Sequence, residues 1–306
     1  MDERKGDTGA DHRDILRTVR RIEIATRRAV NAELAGRYHS VFKGQGMAFS
    51  DVRAYSPGDD IRNIDWNVSA RHQESGLFVK QFTEERELTV TLLVDLSRSG
   101  EFGTKGASKR QLLAQLGALI AFSAIKNNDR VSLILFTDRV ELYLPPRKGK
   151  MHVMRVIREI VEAEPEGKGT CIAEALAYLS RVQKRRSVCF LLSDFLDDGF
   201  EPPLKVALAR HDLVAMRVTD PAEMVLPDLG LVQLVDSETG QTQLVDTASP
   251  AVRKHFAARR QSQSLAAKKR LQQLGCDLVD LQTDGDFVAP LVRFFQARSA
   301  RLRSGR

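Results

Sequence analysis

The chain has 306 residues, enough for one large domain or two ordinary ones, and its 42% hydrophobic and 28% charged residues are typical of a soluble globular protein. No apolar run reaches the roughly 18 residues of a membrane span, and the three scattered cysteines argue against a disulfide framework or a zinc ribbon. The net charge of +7 would suit nucleic acid, an acidic protein or a lipid surface. Because residues 1–13 lack the apolar core of a signal peptide, we expect a cytoplasmic protein.

The N-terminal part of the chain has several predicted sections. Residues 1–10 are polar and charged, and we expect them to be disordered. Apolar residues then recur at helical spacing over residues 14–34, between arginines, which predicts an amphipathic helix. A strand is expected at 77–82, and residues 11–86 together are predicted to pack on the main domain. Trp66, the only tryptophan, is expected to fill a core.

Between these elements, residues 44–67 are rich in turn-forming residues. Pro57 and Gly58 fit the central positions of a type II turn, because proline presets φ and glycine accepts a positive φ. Asp59 or Asp60 would then cap a short helical turn. The Gly-x-Gly that opens the stretch does not predict a dinucleotide site, since the third glycine of that motif is missing and no buried strand precedes it.

Residues 87–300 alternate short apolar runs with amphipathic segments, which predicts strands that alternate with helices. Strands are expected at 88–94, 131–136, 140–144, 188–192, 212–218 and 276–281, with a hairpin from 231–235 to 242–246. Helices are expected at 105–124, 151–161, 172–182, 204–209, 251–274 and 287–298. This alternation predicts an α/β fold, in which helices cover both faces of a mostly parallel central sheet. Residues 301–306 would form a basic tail.

The run 88–94 is the most informative element, because it is almost wholly apolar and stops abruptly at short side chains that carry oxygen. Such a run is typical of a strand buried on both faces. Asp95, Ser97 and Ser99 follow it, and residues two apart point the same way in an extended segment. One carboxylate and two hydroxyls can therefore converge, which suits a hard cation such as Mg²⁺ or Mn²⁺. Ligands also gather at the carboxyl ends of strands in open α/β sheets.

Two further residues with side-chain oxygens could join this set. Asp194 follows a buried run as Asp95 does, and Thr170 lies in a glycine-flanked loop before a helix. Each position also has a purely structural explanation. Thr170 could cap its helix, the two aspartates could cap strand-to-helix turns, and Ser97 and Ser99 could be ordinary turn residues.

Together these five positions resemble the metal-ion-dependent adhesion site of von Willebrand factor A-type domains, in which Asp95-x-Ser97-x-Ser99 is joined by Thr170 and Asp194 downstream. The resemblance implies a Rossmann-like domain of that type over residues 87–300. It also implies an Mg²⁺ or Mn²⁺ ion held by Asp95, Ser97, Ser99, Thr170 and Asp194. One vacant metal position would accept an Asp or Glu from a partner, so an interaction module rather than an enzyme is expected.

The upstream segment resembles the signature of the domain of unknown function 58 family. It reads Phe49-Ser50-Asp51-Val52-Arg53-x-Tyr55-x-Pro57-Gly58-Asp59-Asp60-x-Arg62-x-Ile64-Asp65-Trp66. These bacterial proteins are often encoded beside MoxR-type AAA+ ATPases, so the resemblance implies an adaptor or co-chaperone of such an ATPase. Gly100 departs from the methionine that is common in the adhesion site, but this position supplies no ligand.

Two other functions stay open on the sequence. A metal beside an aspartate is compatible with metal-dependent hydrolysis, although no general base is identifiable and Ser97 stands where aspartyl phosphotransferases need a second Asp. The arginines near both chain ends could bind nucleic acid, which would give a steep dependence on salt. No recognised nucleic-acid motif accompanies them, so we do not expect nucleic acid as the partner.

Overall fold

The computed structural model describes residues 20, 38, 41–42, 48–71, 76–83, 87–97, 108–235 and 242–304. The chain divides into two compact units. One is formed by residues 42–88, and the other by residues 1–41 together with residues 89–306. The site residues predicted at the end of the run 88–94 therefore belong to the larger unit.

Several predictions concern residues outside the described part of the chain. The expected disorder of residues 1–10 lies there, as does the position of Ser99. Of the predicted helix 14–34, only Arg20 is described, and it is helical. These expectations stay predictions.

The smaller unit is built on a two-stranded antiparallel sheet. Its elements are β1 (Ala48–Ala54), a 3-10 turn (Ile61–Asn63), helix α1 (Trp66–Arg71) and β2 (Phe78–Thr83). The predicted strand 77–82 is confirmed as β2. A lone two-stranded sheet is only marginally stable in water, so the polar contacts of the turn and the helix between its strands are expected to contribute to the stability of this unit.

An ion pair holds the tight turn at Pro57 and Gly58. Gly58 has a φ of 109°, which is the positive φ that the second central position of a type II turn requires. The guanidinium of Arg53 donates to both carboxylate oxygens of Asp59, at 2.7 and 2.6 Å. Asp60, rather than Asp59, caps the 3-10 turn that follows. The predicted turn and its cap are therefore confirmed.

Trp66 is 66% exposed, so the prediction that it fills a core is wrong. It is the first residue of α1, whose single buried residue is Ser69. Polar groups anchor this short helix: Asp65 accepts two amides of its first turn, and Ser69 Oγ accepts the amide of Phe78 at 2.9 Å. A helix that is fixed by polar contacts does not need to bury its tryptophan.

The larger unit is organised around a six-stranded sheet, counted over its described residues. The strands of this unit are β3 (Thr89–Asp95), β4 (Arg130–Phe136), β5 (Val140–Arg147), β6 (Val188–Ser193), β7 (Asp212–Thr219), β8 (Leu231–Val235), β9 (Thr242–Asp246) and β10 (Asp277–Gln282). The sheet order is β10-β7-β6-β3-β4-β5. All neighbours are parallel except β4 and β5, which are antiparallel. Strands β8 and β9 form the separate hairpin that was predicted.

Six helices of this unit are described, and each matches a predicted one with ends that differ by a few residues. They are α2 (Lys109–Lys126), α3 (Lys150–Glu162), α4 (Ile172–Val182), α5 (Glu201–Arg210), α6 (Pro250–Gln273) and α7 (Val288–Arg303). No helix in the described ranges combines the length and the apolar character needed to cross a membrane. The predicted mixed α/β architecture is therefore confirmed.

Successive residues of β3 pack against opposite helical layers. Leu93 belongs to a buried cluster that includes Leu176 of α4 and Leu271 of α6. Leu92 faces α2 instead, where a β-carbon added to Gly117 would lie 3.7 Å from Leu92 Cδ1. Because both faces of the strand are covered, nearly every residue of the run is apolar, and the polar residues begin only where the strand ends.

Candidate functional site

The order of the strands places β3 beside β6, although β4 and β5 come between them in the chain. Strands β4 and β5 extend the sheet to one side of β3, while β6, β7 and β10 extend it to the other. The chains that leave the carboxyl ends of β3 and β6 therefore diverge, and ligands of open α/β sheets bind in the crevice that results. Asp95 ends β3, and Asp194 follows the last residue of β6.

A small cleft lies at this edge of the sheet. Its lining residues are Asp95, Ser97, Lys109, Leu113, Ser193, Asp194 and Val218. The cleft has room for about one water-sized particle. Three of the five predicted ligands, Asp95, Ser97 and Asp194, are thus brought together. Thr170 is described but does not line the cleft, and Ser99 lies outside the described residues.

Asp95 is buried, and hydrogen bonds hold both of its carboxylate oxygens. Ser193 Oγ donates to Oδ2 at 2.6 Å, and the amide of Ser97 donates to Oδ1 at 2.9 Å. Burial raises the pKa of Asp95 to about 7, and the charge of Asp194 acts in the same direction, while the hydrogen bonds from Ser193 and Ser97 oppose the shift. Burial and a neighbouring carboxylate therefore both disfavour the ionised form of Asp95.

Lys109 supplies positive charge to the cleft. Its Nζ atom lies 3.2 Å from Asp194 Oδ2 and 2.5 Å from Glu223 Oε1, and its side chain is 3% exposed. Burial disfavours the charged ammonium, but Asp194 and Glu223 together outweigh burial, so the pKa of Lys109 lies above its ordinary value. Lys109 is therefore a buried cation that is shared between two carboxylates.

The backbone is strained directly after Asp194. Phe195 has a φ of 57°, in the left-handed region that bulky residues rarely adopt. Its ring packs edge-on against Phe200 with centroids 6.1 Å apart, and its amide donates to Ser193 Oγ at 3.1 Å. The next amide, of Leu196, donates to Asp194 Oδ1 at 3.2 Å. Such strain concentrates at functional sites, and here it adjoins a carboxylate of the cleft.

The loop that carries Thr170 is joined to the loop after β6. Asp197 Oδ2 accepts the amide of Ile172, the first residue of α4, at 2.8 Å. The capping position of α4 is occupied by Cys171, so Thr170 does not cap this helix. Thr170 therefore lies two residues before the point where Asp197 links α4 to the Asp194 loop.

The donor set of the cleft suits a hard divalent cation. Asp95 and Asp194 contribute carboxylates and Ser97 a hydroxyl, and Mg²⁺ and Mn²⁺ prefer such oxygen ligands. The raised pKa of Asp95 agrees with this fit, because a cation would stabilise the ionised form of this carboxylate, which burial and the charge of Asp194 disfavour. Over the described ranges, no three His, Cys, Asp or Glu side chains are arranged to hold a metal, so hydroxyl and water oxygens would have to complete the shell.

Three residues at or beside the cleft were not predicted. Ser193 had a usable signal, since its hydroxyl stands between a buried strand and Asp194 in the sequence. Lys109 had a weaker sequence signal, because a lysine at the start of an apolar helix places a positive charge near the positive end of the helix dipole. Glu223 had none, because it lies in a short 3-10 turn whose position depends on the fold.

Two solved structures resemble the chain at low sequence identity. The conserved hypothetical protein BatB from Bacteroides thetaiotaomicron is 16% identical, with a TM-score of 0.46, and the match covers 70% of this chain and 99% of that chain. An aerotolerance-related membrane protein from Bacteroides fragilis is 17% identical, with a TM-score of 0.41, and the match covers 61% of this chain and 98% of that chain. Both TM-scores are below 0.5.

Sequence relatives cover more of the chain. The uncharacterized protein Rv1480 of Mycobacterium tuberculosis (strain ATCC 25618 / H37Rv) is 31% identical over 291 residues, which are 94% of this chain and 91% of its own length. The uncharacterized protein YeaD of Bacillus subtilis (strain 168) is 27% identical over 114 residues, which are 37% of this chain and 26% of its own length. The family model described as protein of unknown function DUF58 matches residues 51–266, a range that contains the whole cleft. The chain therefore belongs to the DUF58 family.

Proposed function

We propose that this protein is a divalent-metal-dependent interaction module and that its cleft binds an acidic residue of a partner protein. The proposed ligands of the Mg²⁺ or Mn²⁺ ion are Asp95, Ser97, Ser99, Thr170 and Asp194. The larger unit would then be a von Willebrand factor A-type domain with a metal-ion-dependent adhesion site. The strand order and the position of the cleft at the carboxyl ends of β3 and β6 support this assignment.

One observation carries the proposal. Asp95 and Asp194 come from distant parts of the chain, yet they line one cleft at the point where the strand order reverses. Placing two carboxylates in a buried cleft is costly unless a cation compensates them. Lys109 contacts Asp194, whereas burial and the charge of Asp194 raise the pKa of Asp95 to about 7, so Asp95 is the carboxylate that a further cation would stabilise. A purely structural role for both aspartates as turn caps would not require them to line the same cleft.

The surroundings of the carboxylates suit a binding role. Leu113 and Val218 form apolar parts of the wall, which lowers the local dielectric and strengthens electrostatic contacts inside the cleft. Ser193 Oγ and the amide of Ser97 fix the orientation of the Asp95 carboxylate. When bound, a hard cation would supply a free coordination position for a carboxylate from another molecule. The chain's own residues would then provide the negative charge, the orientation and the exclusion of water.

The family resemblance suggests a MoxR-type AAA+ ATPase as the partner, with this protein as its adaptor or co-chaperone. An aspartate or glutamate on the surface of that ATPase would be the group recognised. Partner binding should then need both the metal and the carboxylates of the cleft, because neither provides the site alone.

The test is a pair of binding measurements on the full chain. Isothermal titration with Mn²⁺ should show one site in the wild type and none in Asp95→Ala. Pull-down of the MoxR-type ATPase from the same organism should require Mg²⁺ and should be lost in Asp95→Ala and in EDTA. The matched control is Asp284→Ala, which removes an exposed aspartate far along the chain from the cleft residues.

Circular dichroism and urea unfolding should show that Asp95→Ala remains folded. The proposal is overturned if the wild type binds no Mn²⁺, or if Asp95→Ala binds it as tightly as the wild type does. If Mn²⁺ binds but the ATPase is captured equally well in EDTA, the cleft is a metal site and the ATPase does not dock there.

A further inference from the structure

Two features of the position of Lys109 disfavour its positive charge. It is the first residue of α2, after the N-cap Ser108, and a positive charge in the first turn of a helix opposes the helix dipole. Its side chain is also 3% exposed, and burial of an ammonium is costly. The two carboxylates that it contacts, Asp194 and Glu223, outweigh the cost of burial, so the pKa of Lys109 is raised. Lys109 therefore depends on the carboxylates of the cleft.

Asp194 is needed by two cations if the proposed function is correct. Its Oδ2 atom accepts from Lys109 Nζ at 3.2 Å, and its Oδ1 atom accepts from the amide of Leu196 at 3.2 Å. We propose that Lys109 is a built-in competitor for the metal, whose ammonium holds Asp194 and yields it to a divalent cation. This inference rests on the proposed metal-binding function of the cleft.

Glu223 gives Lys109 an alternative partner. The distance from Nζ to Glu223 Oε1 is 2.5 Å, shorter than the 3.2 Å to Asp194 Oδ2. Glu223 lies in the 3-10 turn Pro221–Glu223, which Asp220 caps, and Asp220 also accepts from Thr283 Oγ1 at 2.8 Å. Because this turn is anchored independently of the cleft, Lys109 can keep Glu223 while it releases Asp194.

The charges of the cluster agree with this exchange. Three carboxylates, those of Asp95, Asp194 and Glu223, lie in or beside the cleft, and the ammonium of Lys109 contacts Asp194 and Glu223. When all three are ionised, two negative charges remain uncompensated, which is the charge of one divalent cation. The three carboxylates, Lys109 and one divalent cation therefore carry no net charge together.

The test measures Mn²⁺ affinity by isothermal titration for the full-length wild type, Lys109→Met and Glu223→Gln. Removal of the competitor should tighten Mn²⁺ binding about tenfold or more in Lys109→Met. Removal of its alternative partner should weaken binding several-fold in Glu223→Gln, because Lys109 is then held by Asp194 alone. The matched control is Lys126→Met at the exposed opposite end of the same helix, which should leave the affinity unchanged.

Titrations at low and at high salt separate direct competition from a general effect of charge. Salt screens charges that are exposed and far apart, but it screens a buried contact much less, so the change in Lys109→Met should persist at high salt. An unchanged or weaker Mn²⁺ affinity in Lys109→Met, beside normal binding by the wild type, overturns the inference and leaves the proposed function standing. Binding by Lys109→Met but not by the wild type overturns both proposals, because Lys109 would then hold Asp194 without yielding it to the metal. If neither variant nor wild type binds Mn²⁺, both proposals fail.

Discussion

Ser193 Oγ donates a 2.6 Å hydrogen bond to Asp95 Oδ2 and thereby joins the ends of β6 and β3 in the lining of the cleft. The two residues are 98 positions apart in the chain. The same hydroxyl oxygen accepts the amide of Phe195, so it also supports the strained turn after Asp194. Ser193 is therefore expected to fix the carboxylate that the proposed function depends on.

Replacement of this serine by Ala should destabilise the protein, and more so at high pH. Loss of a buried hydrogen bond to a carboxylate costs about 1–3 kcal/mol, and the bond favours the ionised form of Asp95. Urea unfolding in EDTA should therefore show a larger loss at pH 8 than at pH 5 for Ser193→Ala. Ser180→Ala, whose hydroxyl bonds only within a helix turn, should cost less than about 0.5 kcal/mol. An equal loss at both pH values would contradict this reading of the Ser193 bond.

The pKa of Asp95 predicts how stability depends on pH. Burial raises this pKa to about 7 in the folded protein, while an unfolded aspartate titrates near roughly 3.9. Between these values the folded state keeps a proton that the unfolded chain releases, so stability falls as pH rises. Relative to Asp95→Asn, the wild type in EDTA should lose about 1.4 kcal/mol per pH unit in the middle of this window.

Above the folded pKa the difference between wild type and Asp95→Asn should level off, because both states of the wild type are then ionised at Asp95. Excess Mg²⁺ should reduce the fall, since a bound cation favours the ionised carboxylate. A stability difference that is flat from pH 4 to 8 would show that Asp95 is not held in this environment.

Gly167 lies in the loop before Thr170 and has no room for a side chain. A β-carbon there would lie 2.0 Å from Thr137 Oγ1, and the Gly167 amide donates to Glu141 Oε1 at 2.8 Å. Gly167→Ala should therefore cost about 1–3 kcal/mol, as overpacking does, measured by urea unfolding. Gly169→Ala is a close control, because its β-carbon would meet only ordinary contact at 3.8 Å. Equal stabilities of the two variants would contradict the crowding at Gly167.

Arg298 of α7 connects the helix to the starts of two strands. It donates to Asp277 Oδ2 at 2.7 Å and also to Asp212. Arg298→Ala should lower stability by about 1–3 kcal/mol, because these hydrogen bonds join charged groups, whereas the exposed Arg293→Ala should change it little. The alternative function, nucleic-acid binding by the basic C-terminal part, predicts a different result. Both variants would then keep their stability and lose affinity for nucleic acid.

Trp66 offers a simple optical test of the smaller unit. It is the only tryptophan of the chain and is 66% exposed. Its emission should resemble that of tryptophan in water, acrylamide should quench it readily, and Trp66→Phe should change stability by less than about 0.5 kcal/mol. Emission that is shifted to the blue and protected from acrylamide would show that the indole is buried after all.

The sequence by itself determined the elements of the larger unit and three of the residues that line the cleft. The run at 88–94 and the helical periodicities are local patterns, and local patterns follow from which faces of an element are covered. Asp95 and Asp194 were recognisable because each follows an apolar run. The glycine turn at Gly58 was recognisable because few residues accept a positive φ.

Only the tertiary structure decided which side chains meet. Lys109 and Asp194 are 85 residues apart, and no local pattern encodes a contact of that length. The exposure of Trp66 likewise depends on how α1 is anchored, and the absence of Thr170 from the cleft lining depends on the path of its loop. Apolar periodicity reports what one element buries, whereas a polar contact depends on the relative positions of two elements, which the sheet order sets.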